Sequence, residues 1–305
     1  MLPMLGMRQV LGTSAAEQGH VPVPLLPQGG SCHRKDLPVL RDVHSPACGK
    51  RPRETPAKPT AAFGKRKRPR KGLRGMDMTP RENMMAILEG RQPAYYADFQ
   101  SAVKVMFDPV WQSDSIPADG LEHTDSWGTV CVRPPDAPGK HPCITPENAV
   151  VKDVTEWKSQ LVVPSLDHLD WAACKAKADQ VDRSRHFVEY FCATGVFERS
   201  HFLMGMEDAF CAYLEEPEAM FEMLTAIAEY KKKLVKEAAY QIHPDVCFFQ
   251  DDWGSKQNLF LPPDVWREMI KPLQADIAKT IHECGMLYVH HADCICEPIV
   301  EDMVE

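Results

Sequence analysis

Val246-Cys247-Phe248-Phe249-Gln250-Asp251-Asp252-Trp253-Gly254 is the stretch on which the fold turns. Its four consecutive apolar residues are too few for a helix and run straight into turn-forming residues. Such a run reads as a strand buried on both faces. The pattern returns at Met286–Val289, which leads into His290-His291-Ala292-Asp293-Cys294. It also occurs earlier, at His186–Cys192, ahead of the breaker Gly195. Helical stripes lie between. One helix is expected near Met206–Leu214. Pro217 opens a long one, in which Met220, Met223, Ile227, Tyr230, Leu234 and Ala238 recur at steps of three and four. Pro263 opens the next, with Val265, Met269, Leu273, Ile277 and Ile281 every four residues. Pro272 should kink it and Gly285 should close it. Glu297 onward reads as a further helix.

Strands alternating with helices imply a parallel sheet covered on both faces. Ligands bind such sheets at the C-terminal ends of the strands. No Gly-x-Gly-x-x-Gly follows a strand and no Gly-x-x-x-x-Gly-Lys-Ser/Thr is present, which disfavours dinucleotide binding and excludes P-loop chemistry. The expected fold class is α/β, with a (β/α) barrel favoured.

Upstream, Thr79-Pro80-Arg81-Glu82 carries an N-cap, a proline at the first helical position and a capping-box acid. Met84, Met85, Ile87 and Leu88 follow, and Gly90 suits the end of that helix. Residues 95–139 show no regular period, apart from a short strand expected over Thr129–Val132 after Asp125-Ser126-Trp127-Gly128. Val150, Val151 and Val154 suggest another extended piece. A helix is expected over 168–184.

The charge splits the chain. Residues 1–75 hold 15 Lys+Arg against four acids and ten of the 26 prolines, whereas residues 76–305 carry a net charge of −19. The first segment cannot bury enough apolar surface to offset its ordering entropy, so it reads as a disordered basic leader or as non-native sequence. Its run Lys65-Arg66-Lys67-Arg68 has no interleaved aromatics, and the acidic body repels nucleic acid, so no nucleic-acid partner is expected. No apolar run approaches the roughly 20 residues of a membrane span. The 11 cysteines are odd in number and scattered, which fits a reducing, cytoplasmic compartment.

Two polar clusters sit at strand ends. Asp251 and Asp252 can orient substrate or act as a base. In the second, imidazole, carboxylate and thiol are the zinc ligand set, offered by His291, Asp293 and Cys294. Alternation puts His291 and Asp293 on one face of the strand and His290 on the other. Glu198, just past Gly195, is a further candidate.

In order and spacing these motifs resemble the uroporphyrinogen decarboxylase superfamily. The marks are Met78-Thr79-Pro80-Arg81-Glu82, Asp125-Ser126-Trp127-Gly128, Asp153-Val154-Thr155-Glu156-Trp157, Gly195-Val196-Phe197-Glu198 with Leu203-Met204-Gly205, Asp251-Asp252-Trp253-Gly254, Pro263 to Pro272, and His291-Ala292-Asp293-Cys294. The resemblance implies a (β/α)8 TIM barrel over residues 76–305. Catalytic roles then fall to Asp251, Asp252, His291 and Asp293, and substrate contacts to Glu198 and Trp253. One branch decarboxylates a tetrapyrrole through an Arg-Gln-Ala-Gly-Arg segment, for which this chain has Arg91-Gln92-Pro93-Ala94-Tyr95. The other moves methyl groups between a small substrate and a corrinoid carried by a partner protein. The chain resembles the second branch more closely. Members with thiol acceptors carry a His-x-Cys-Gly zinc motif; here His291 stands at the His, Asp293 at the Cys and Cys294 at the Gly. Members also run on for roughly another hundred residues, enough for the last barrel strands. The expectation is therefore an incomplete barrel, insoluble or molten, and inactive alone.

Overall fold

Four strands make one parallel sheet in the order β1 (Val103–Phe107), β5 (Phe187–Cys192), β6 (Val246–Gln250), β7 (Leu287–His291). The computed structural model describes residues 78–96 and 98–304, and the basic leader lies outside them. Before the sheet come α1 (Pro80–Leu88) and α2 (Phe99–Ala102). After β1 come α3 (Pro109–Ser113) and a small antiparallel sheet of β2 (Glu122–Thr124), β3 (Val130–Val132) and β4 (His141–Pro142). α4 (Trp157–Gln160) and α5 (Ala172–Asp179) lead to β5. Then α6 (Val196–Met204), α7 (Met206–Glu215) and α8 (Pro217–Ile242) precede β6, and α9 (Pro263–Met269) and α10 (Lys271–Glu283) precede β7.

The parallel strands follow chain order across the sheet, with no reversal among the four, as in a singly wound arrangement rather than a doubly wound one. A closed eight-stranded barrel is not what the described residues form; they make a four-stranded parallel sheet. No helix among them is long and apolar enough to cross a membrane.

The strand pleat sorts side chains onto two faces. Val188, Tyr190, Cys192, Cys247 and Phe249 bury into the main core, together with Met220, Met223, Leu224 and Ile227 of α8 and Ile277 and Ile281 of α10. Each large apolar side chain buried there contributes about 1.5–3 kcal/mol. The opposite face carries an aromatic row across the four strands. Ring centroids are 5.4 Å apart for Phe107 and Phe191, 5.6 Å for Phe191 and Phe248, and 5.5 Å for Phe248 and His291.

α1 closes the N-terminal ends of the strands. Its capping box forms: the Glu82 amide donates to Thr79 Oγ1 (3.3 Å), and the Thr79 amide donates to Glu82 Oε2 (2.8 Å). Met84 packs with Ala102, Val103, Phe187 and Val246. Arg81 lies over the Phe187 ring and donates to Asp245 Oδ1 at 2.8 Å. Asp245 also accepts the Val188 amide (2.8 Å) and Arg183 Nη1 (3.3 Å), so one carboxylate ties α1, β5 and the entry to β6. Asp245→Ala should therefore lower stability by about 2–3 kcal/mol, the loss of charge-assisted bonds at a half-buried carboxylate. An unchanged urea midpoint would remove Asp245 from this role.

Several sequence expectations change. The helix expected over 168–184 shortens to α5, because His168 takes a left-handed φ of 63° and Asp182 turns the chain by accepting the Ser184 amide (3.0 Å). Val150 and Val151 form no strand, and Val154 starts a single 3-10 turn, Val154–Glu156, capped by Asp153. Pro272 breaks the helix instead of bending it. It has no N–H for the Glu268 carbonyl, so α9 stops at Met269 and α10 starts at Lys271. Glu297–Ile299 is one 3-10 turn rather than a helix. Asp302 folds that segment back through ion pairs to Arg267 (3.0 Å) and Lys271 (2.9 Å).

Candidate functional site

The C-terminal ends of β5, β6 and β7 bring Glu198, Asp251, Asp252 and His291 to one region. Asp251 leaves β6 on the helix side and is fully buried. It accepts the amides of Phe197 (3.0 Å) and Glu198 (2.9 Å), and the Trp253 indole N–H at 3.0 Å. The two amides are orphan donors of the α6 N-terminus, so Asp251 caps that helix from a neighbouring strand. Burial pushes its carboxyl up to about 6, against the pull of these three donors and of Lys231. The expectation of Asp251 as a group open to substrate gives way to that of a positioning residue. Gly195 makes this approach feasible, since a Cβ there would lie 2.2 Å from Asp251 Cβ.

Glu198 follows on the first turn of α6 and is buried, and its Oε2 has no hydrogen-bond partner among the described residues. Burial is the main cause raising its carboxyl to about 8. Asp251 and Asp252 add to the rise, while the amides of Gly195 and Asp252 oppose it. Burial and its acidic neighbours thus favour the protonated form of Glu198, while three N–H donors and Lys231 favour the ionised form of Asp251. Two carboxyl groups with pKa values pushed apart are the arrangement from which acid and base roles are divided.

Asp252 points the other way. Its Oδ1 accepts the Asp293 amide (2.6 Å) and lies 3.9 Å from His291 Nε2. His291 sits opposite Gln250 in the register and stacks on Phe248. His290 is on the helix side, stacked on Trp253 at 4.0 Å with Nδ1 2.8 Å from the Tyr288 hydroxyl. Burial holds its imidazole down at about 3. The side chain of Asp293 is exposed, so its link to the site is through the backbone. Trp253, expected at the substrate, is 2% exposed and packed between Trp266 and His290, with its N–H given to Asp251. Cys294 contacts Cys296, Sγ to Sγ 3.4 Å, and burial foremost pushes its thiol up to about 12.

The zinc set does not come together. Among the described residues no group of three or more His, Cys, Asp or Glu is placed to hold a metal ion. The His291 ring faces Asp252, the Asp293 carboxylate is exposed, and Cys294 is paired with Cys296.

Three buried charges behind the strand ends escaped the sequence reading. Asp108 accepts the Tyr190 hydroxyl at 2.7 Å. Arg199 donates to Asp125 Oδ2 at 2.8 Å, fixing the 125–128 turn against α6. Lys231 is 2% exposed and donates to the Ala193 carbonyl at 2.9 Å. Burial lowers its pKa. Its position four residues after Ile227, on the apolar stripe of α8, was the available signal.

No family model, no curated protein and no solved structure matches the chain. The likeness to the uroporphyrinogen decarboxylase superfamily rests on the motifs quoted above.

Proposed function

We propose that the chain is a methyltransferase of the kind found in the uroporphyrinogen decarboxylase superfamily, acting on a small substrate held near Glu198, Asp252 and His291. The observation that carries the site is the convergence of these three titratable groups from three successive strand ends. The Asp252 charge helps to raise the Glu198 carboxyl, and Asp252 Oδ1 lies 3.9 Å from His291 Nε2. The reaction class comes from the sequence resemblance.

In this reading a corrinoid carried by a partner protein supplies or accepts the methyl group. His291 takes the proton of a thiol or hydroxyl acceptor, and the Asp252 carboxylate stabilises the resulting imidazolium. In the opposite direction Glu198, protonated at neutral pH, gives its proton to the leaving oxygen or nitrogen of a methoxy or methylamine-like donor. The ring of Phe248 offers an apolar wall beside His291 that limits water access. No step of this reading is routed through zinc. The decarboxylase alternative asks for the Arg-Gln-Ala-Gly-Arg segment that the sequence lacks.

His291→Ala should reduce methyl transfer from methylcobalamin to a small thiol by about 10²–10⁴-fold, the usual worth of a positioned acid or base. The His291 side chain is 42% exposed, so the melting curve should not move. An unchanged rate in the variant would remove His291 from the chemistry. Methyl transfer by the wild-type chain would overturn the expectation that it is inactive alone, and a chain that binds neither methylcobalamin nor any thiol tried would remove the reaction class.

A further inference from the structure

We propose that Cys294 and Cys296 are a redox-active dithiol, which low-molecular-weight disulfides of the glutathione class convert to an intrachain disulfide. The inference is independent of the methyl-transfer reading.

Two sulfurs 3.4 Å apart, two residues apart in sequence, need little movement to reach the roughly 2 Å of a disulfide bond. Both residues are partly exposed where they pack at the edge of the main core. A second thiol contact, Cys192 with Cys247, lies fully buried under the helices and is shielded from such attack. Proximity and access thus coincide at Cys294 and Cys296.

The exchange balances without any other reagent. The thiolate of Cys296 attacks a sulfur of glutathione disulfide. That S–S bond breaks as the mixed disulfide forms, and one glutathione thiolate leaves. The second cysteine, having lost its proton to solvent, attacks the mixed disulfide. The intrachain S–S bond forms and the second glutathione leaves. Two electrons pass from the cysteine pair to glutathione disulfide, and two protons end on the released thiols. The nearby second sulfur acts at a high effective concentration, which favours the intrachain bond over the mixed disulfide.

The pair closes the loop that follows β7. Within it the Asp293 amide donates to Asp252 Oδ1 (2.6 Å) and the Ile295 amide to the Ser255 carbonyl (3.0 Å). Oxidation therefore constrains the segment that borders Asp252 and His291.

The full chain, equilibrated with graded ratios of reduced and oxidised glutathione, is quenched by alkylation, digested and analysed by mass spectrometry. The peptide containing Cys294 and Cys296 should lose two hydrogen masses and carry neither alkyl group nor glutathione. In Cys294→Ser, the same peptide should hold about tenfold or more mixed glutathione disulfide relative to wild type, because the resolving thiol is gone. Cys296→Ser, which lacks the attacking thiol, should remain alkylated at Cys294. A wild-type peptide alkylated at both cysteines across all ratios would overturn the proposal. So would glutathione retained at the level of Cys294→Ser, or a disulfide from either cysteine to a third one.

Discussion

Gly195→Ala is expected to remove most of the stability of the folded chain. The new Cβ would stand 2.2 Å from both Cβ and Cγ of Asp251, against the 3.5–4.0 Å at which carbon atoms normally meet. Asp251 is fully buried and cannot swing into solvent, so relief requires moving either β6 or the start of α6. Any such movement strips the carboxylate of its three N–H donors and leaves the α6 amides without a cap. A buried carboxylate left unpartnered costs about 3–5 kcal/mol. That is a large part of the 5–15 kcal/mol of a typical domain. Urea denaturation should show the midpoint falling sharply or the transition losing its cooperativity. Gly139→Ala is the matched control, because nothing lies within 4 Å of a Cβ there and the change should be nearly silent. If Gly195→Ala unfolds within about 1 kcal/mol of wild type, the close packing of α6 on Asp251 is not what holds the strand ends together.

The site illustrates which parts of such a structure a sequence exposes. Strands buried on both faces write themselves as apolar runs, which is why β5, β6 and β7 stand out and why alternation along β7 separates His290 from His291. β1 does not stand out. Val103-Lys104-Val105-Met106-Phe107 lies at the sheet edge with Lys104 and Val105 exposed, so its pattern is mixed and its reading irregular. Adjacent acids are harder still. Beyond Gln250 the chain leaves the pleat, and strand alternation no longer says that Asp251 turns to the helix and Asp252 to His291. The environment of Glu198 depends on Asp251, 53 residues away, and no local pattern encodes that meeting. Lys231 sits among three consecutive lysines, and only its place on the apolar stripe of α8 distinguishes it from its exposed-looking neighbours.

Glu198→Gln should flatten the alkaline side of the pH–stability profile. The folded-state carboxyl titrates near 8, well above its ordinary 4.5, chiefly because burial disfavours the charge. A raised acid leaves stability whole below the ordinary value and takes it away as pH rises through the folded one. At about 1.4 kcal/mol per pH unit, full ionisation of Glu198 costs roughly 5 kcal/mol by pH 9. Relative to the variant, wild type should therefore weaken from about pH 5 to pH 8. Glutamine resembles the neutral acid in shape and polarity, so the variant should match wild type at pH 5 and exceed it at pH 9 by most of that amount. Asp251, raised to about 6, keeps a smaller slope between about pH 4 and 6 in both proteins. The acid limb provides an internal check. Burial first, and Arg199 second, hold His201 down at about 4, so stability is present above its ordinary value of 6.5 and is lost as pH falls through 4. Glu198→Gln leaves that limb intact. Melting temperatures measured across pH 4–9 distinguish the outcomes: parallel alkaline slopes in the two proteins would mean that Glu198 is ionised without penalty at neutral pH. Its role as the proton donor of the site would then fall with it.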